Sequence, residues 1–267
     1  MTRHDKTVGS LLLAVLVLLL SVPAAKAEST DSTDTSLSID DYVLNGVPPP
    51  SRKWRTTDLV AAANALADIG LASPEQLPRL ESKRSKKLFK RIASHDILKY
   101  LKKDKIPAEM RVQEAMAQLA AFRTLAYIYL RGISKGQPYD MEMAAITSFG
   151  LELTLRTFIL LNQVGREIPR NDPKFAARIE GIVTFKSGLN ELVAGAVGSL
   201  AQTHVYRPNA RAQLAFDLKR YLPKLMEFLP SIQQRDTRMY LQTLAREETS
   251  EIARGPIKAV VAALPPE

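Results

Sequence analysis

From Thr56 onward, apolar residues recur at three- and four-residue spacing between marks of helix punctuation. Leu59, Val60, Ala62, Ala63, Leu66 and Ile69 follow Thr57-Asp58 and predict an amphipathic helix closed by Gly70. Ser73-Pro74-Glu75-Gln76 reads as a second helix start, with serine as N-cap, proline next and glutamine three residues after the cap. Pro107-Ala108-Glu109 opens a long helix running through Leu119, Phe122, Leu125 and Tyr129 to Gly132 or Gly136. Asp140 starts another, 140–164, apolar on nearly every face, and a helix apolar all round belongs in an interior. Asp172-Pro173 starts a helix over 173–203. Pro208 begins one that Pro223 should kink and Pro230 interrupt, and Ile257 to Leu264 is a last apolar segment.

No β-branched run alternates with period two, and no long period repeats. The expected fold is therefore all-α: a single helical bundle domain, residues 52–267, of about seven to nine helices with 140–164 at its centre.

The N-terminus follows a different pattern. Arg3 and Lys6 precede an uncharged apolar run from Leu11 to Val22, then Pro23 and the small-x-small triplet Ala25-Lys26-Ala27. That run is too short for the roughly 20 apolar residues a membrane-spanning helix needs. It predicts a signal peptide, 1–27, cleaved on export to the bacterial periplasm or beyond. Residues 28–51 are acidic and rich in Ser, Thr and Pro, which predicts a disordered or loosely docked leader. The alternative is an acidic strap folded back on a basic body.

Composition narrows the chemistry. The 267 residues include no cysteine and three histidines, which excludes disulfides, thiolate nucleophiles and cysteine-type metal sites. Net charge is +9. Removing 1–27 takes away three basic residues and one acidic, leaving +7, and the acidic leader hides +12 on the remainder. The excess is concentrated in residues 79–105, where eleven basic residues face three acidic ones. On a helical wheel Leu88, Phe89 and Ile92 share one side, while Lys83, Lys86, Lys87, Lys90 and Arg91 cover the other, with Arg84 beside them. That pattern fits an anion-binding face for lipid head groups or envelope polymers, or an ordinary solvated face. Nucleic acid is disfavoured, since only Phe89 and Tyr100 are interleaved for base stacking.

A second feature is glycine at heptad spacing, Gly181, Gly188 and Gly195, with Gly198 one turn on and Glu191 in the same seam. Each interior glycine costs about 1 kcal/mol relative to alanine, so something must lie close to this face. A neighbouring helix is the expected occupant, a ligand or a second chain the alternative, and Arg156 is a possible partner for Glu191, although Glu152 is Arg156's own i,i+4 neighbour. Ser94-His95-Asp96 is read as a helix cap rather than a catalytic group, because adjacent helical residues point apart. No zinc-protease, di-iron, Walker, dinucleotide or nucleophile-elbow motif occurs, so no catalytic residue, metal or cofactor is assigned. The leading expectation is an exported, non-enzymatic helical envelope protein that binds an anionic partner through the basic segment. The rival is an all-α hydrolase or lyase acting on a cell-wall polymer, with one of Glu142, Glu152 or Glu191 as general acid or base.

Overall fold

The computed structural model describes residues 34–173 and 175–266, so the expected signal peptide, 1–27, and residues 28–33 lie outside the described residues. The described residues form nine α-helices and no strand, an all-α single domain. They are α1 (Ile39–Leu44), α2 (Thr56–Ala72), α3 (Lys86–Ile92), α4 (Ala108–Ser134), α5 (Asp140–Glu167), α6 (Phe175–Gly198), α7 (Pro208–Met226), α8 (Ser231–Glu247) and α9 (Glu251–Ala263). One-turn 3₁₀ segments occupy Pro74–Gln76 and Ser199–Ala201, and a longer one His95–Lys102.

Helix α5 is the centre, as its sequence implies. It is long and apolar enough to cross a membrane, yet 78% of its most apolar window is buried inside the protein, the mark of a core helix. Helices α4, α6 and α7 pack on it; α2 lies outside α4, and α9 outside α7. Aromatic rings close the layers: Phe158 stacks on Phe228 at 5.0 Å between centroids, and Tyr129 meets Tyr139 edge-on at 5.2 Å.

Local signals explain most of the helix boundaries. Arg55 precedes α2, and the Asp58 carboxylate accepts its N–H at 2.9 Å while Arg52 bridges that carboxylate. Gly136, at φ +84°, turns the chain between α4 and α5. Pro223 and Pro256 are carried inside α7 and α9, whereas Pro230 ends the helical run and caps α8. Gly70 does not end α2. It lies inside the helix, where a Cβ would come within 3.0 Å of Leu77, so its role is close approach.

The leader differs most from expectation. Over residues 34–51 it is packed on the body. Ser38 and Asp41 form a capping box for α1; Tyr42 and Val47 are fully buried, and the Tyr42 hydroxyl donates to the Gln76 carbonyl. Further on, Trp54 Nε1 donates to the Pro49 carbonyl at 3.1 Å and Arg91 Nε to the Pro50 carbonyl at 2.8 Å. Asp34 accepts from Ser36 and Ser82, and these bonds, with Arg84 nearby, hold its carboxyl below the usual range against the opposing effect of desolvation. Residues 34–51 are thus docked on the body through buried side chains and hydrogen bonds.

Candidate functional sites

The basic segment is built as the wheel implies. In α3, Leu88, Phe89 and Ile92 are buried, and Lys83, Arg84, Lys86, Lys87 and Lys90 are exposed around them. Lys83, Lys86, Lys87 and Lys90 make no ion pair among the described residues. Arg91 is half-buried and tied to Pro50. Because the apolar side is already sealed in the core, this helix has nothing to insert into a bilayer. What it offers a partner is charge. Phe89 has no exposed surface and edges onto Tyr129, so it is not free to stack on a base.

The glycine helix is placed differently from expectation. Short connections fold α5 back on α4 and α6 back on α5, so α4 and α6 run the same way along α5. Gly188 is buried. Gly181 and Gly198, in contrast, have nothing within 4 Å of where a Cβ would lie, so among the described residues no helix lies against the seam at these two positions. Gly181 lines an open apolar hollow with Val112, Leu161 and Phe185. Gly195 and Glu191 line a second, more enclosed cavity between α4, α5 and α6, with about 70 Å³ of water-fillable space. Close backbone approach occurs elsewhere, at Gly150, where a Cβ would lie 2.5 Å from the Phe122 ring, and at Gly132, where Tyr139 covers the helix.

Glu191 does not pair with Arg156. Arg123 lines the same cavity, and its guanidinium is pushed below its usual range by burial and partly restored by Glu191. No second carboxylate lines that cavity. Glu142 is buried, burial raises its carboxyl, and it accepts the Leu80 N–H at 2.6 Å; its neighbour Asp140 is clamped by Arg207 at 2.6 and 2.8 Å. Neither lines either of the two cavities just described.

Arg156 instead meets Glu152, one turn before it, at 3.2 Å, and this carboxylate is the hub of a cluster the sequence does not reveal. His95 Nδ1 lies 2.7 Å from Glu152 Oε2, the Tyr221 hydroxyl donates to the same oxygen at 2.9 Å, and Lys102 Nζ lies 3.6 Å from Oε1. The imidazole stacks on Tyr221 and meets Phe149 edge-on. Ser94 does cap the 95–102 turn, accepting the Asp96 N–H. That cap delivers His95 to α5, 57 residues away in sequence. Nδ1–H donation to a carboxylate fixes the tautomer and leaves Nε2 as the ring's second polar atom. The Glu152 carboxylate is 8% exposed, against 38% for the His95 side chain and 46% for Lys102, so the cluster presents an imidazole and an ammonium outward over a buried carboxylate.

The His95 hydrogen bond, then those of Tyr221 and Arg156, hold the Glu152 carboxyl down to about 2, from an ordinary value of 4.5. A carboxyl depressed in the folded state adds stability that is complete above its unfolded value and is lost as pH falls through the folded one. Wild type should therefore exceed Glu152→Gln in urea midpoint at pH 6. The gap should close progressively between about pH 4.5 and pH 2. A gap independent of pH across that range would mean that the carboxylate's charge is not what the cluster uses.

Compared with known protein families, with curated proteins and with solved structures, the chain matches none of them.

Proposed function

We propose that this is an exported, non-enzymatic helical protein of the bacterial envelope that docks on a phosphate-rich anionic surface through the outer face of α3. The observation that carries this reading is four exposed lysines, Lys83, Lys86, Lys87 and Lys90, within eight residues and without ion-pair partners among the described residues. A folded protein gains nothing from clustering like charges, which repel one another unless an anion is brought to them. Lys99, Lys102 and Lys103 add basic residues along the next turn, Lys99 beside Asp96 and Lys102 near Glu152. The test is co-sedimentation with vesicles containing phosphatidylglycerol, compared with purely zwitterionic vesicles and with purified envelope polymers. Binding to an anionic target that fades with salt supports the reading, and no binding at low salt removes it.

The export half of the proposal rests on the apolar run Leu11–Val22 and on Ala25-Lys26-Ala27. When the full gene is expressed in a bacterium, the periplasmic product should have the intact mass of residues 28–267. Full-length chain retained in the membrane fraction would show an uncleaved anchor instead.

A further inference from the structure

We propose that the cavity between α4, α5 and α6 is a binding site for a small uncharged amphiphile carrying one hydrogen-bonding oxygen, of the size of a short-chain alcohol. This site is independent of the basic face, and the failure of one proposal does not touch the other.

Three observations carry it. First, the wall is mainly apolar, with Ala126, Met143, Leu151, Leu192 and Ala196 forming its middle, and Gly195 adding no side chain that would fill it. Second, a polar group is left unspent at one end. Tyr206 is 1% exposed and its hydroxyl has no hydrogen bond of normal geometry. The hydroxyls of Thr147 and Ser199 are its neighbours, and Ser199 donates its own proton to the Gly195 carbonyl at 2.9 Å. A buried hydroxyl without a partner forfeits the hydration it had in the unfolded chain, and an oxygen placed in the cavity restores that bond. Third, charge at the other end is balanced. Arg123 and Glu191 both line the wall, so a net charge of either sign on the ligand is opposed by one of them. An apolar body with a few convergent polar groups is the ordinary composition of a small-molecule site.

The size follows from the volume. A dry cavity of about 150 Å³ holds benzene. The space here, about 70 Å³, suits about three non-hydrogen atoms on that scale, so the hydroxyl and first carbons of a short alcohol fit and the rest of the chain is left at the mouth.

The probe is 1-butanol, titrated into the purified protein with methyl resonances of Met, Ala, Leu and Thr observed by NMR. Saturable shifts are expected at Met143, Thr147, Leu151, Leu192 and Ala196. Ala196→Leu, which fills the cavity, should abolish them, and Leu192→Phe serves the same purpose if that variant fails to fold. Tyr206→Phe should weaken butanol about fivefold, the loss of one neutral hydrogen bond, without lowering the melting temperature. The proposal is overturned if the shifts do not saturate, if they persist in the filled variant, or if Tyr206→Phe binds butanol as tightly as wild type.

Discussion

Replacing Glu248 with leucine is expected to destabilise the protein by about 3–5 kcal/mol, the usual cost of stranding one member of a buried ion pair. Glu248 and Arg211 have side chains 3% and 4% exposed, and they pair through both guanidinium nitrogens. The pair also joins elements. Arg211 lies on α7; Glu248 follows α8, and its carboxylate accepts the Ser250 N–H at 2.8 Å just before α9. Arg254 closes the corner by donating to the Glu248 carbonyl at 2.7 Å. Loss of the carboxylate leaves the Arg211 guanidinium buried among groups that cannot neutralise it. The double variant Arg211→Met, Glu248→Leu removes both charges and should recover most of the loss, because apolar replacements of a whole buried pair are often neutral. Urea unfolding of the two single variants and the double variant provides the cycle. A Glu248→Leu midpoint close to that of wild type would mean that water reaches the pair.

The second large effect concerns binding. Changing Lys83, Lys86, Lys87 and Lys90 together to glutamine should weaken association with anionic vesicles roughly a thousandfold, since each lysine near a charged surface contributes about 1 kcal/mol. Folding should barely change, because lone exposed charges contribute only about 0–1 kcal/mol each and these four have no partners to lose. The wild-type interaction should also decline steeply above about 0.1 M salt, where the Debye length is about 10 Å. A quadruple variant that binds like wild type would move the docking face elsewhere. One that melts early would show that the lysines support the fold, and their clustering would then no longer argue for a partner.

The long helices, the central position of α5 and the solvent-facing lysines of α3 were determined by the sequence alone, because the forces involved are local. Period and capping set a helix, and an apolar face is buried whatever it meets. Residues 34–51 show where that reasoning stops. Six residues of helix around Tyr42 carry almost no periodic signal, and they are ordered by long-range contacts, the Tyr42–Gln76 hydrogen bond and the burial of Val47. Pairing between helices is also beyond local reading. One residue turns a helix by about 100°, so a small error in offset moves a side chain to another face. Sequence spacing offers Arg156 both Glu191 and its own i,i+4 neighbour Glu152; in the fold it meets Glu152, and Glu191 lies near Arg123. The same geometry brings His95 and Lys102 from one segment and Tyr221 from another to one carboxylate, and leaves the Tyr206 hydroxyl without a well-aligned hydrogen bond beside a cavity. Which residue types are present is a matter of sequence. Which of them meet is decided by how the helices rotate and slide as they pack around α5.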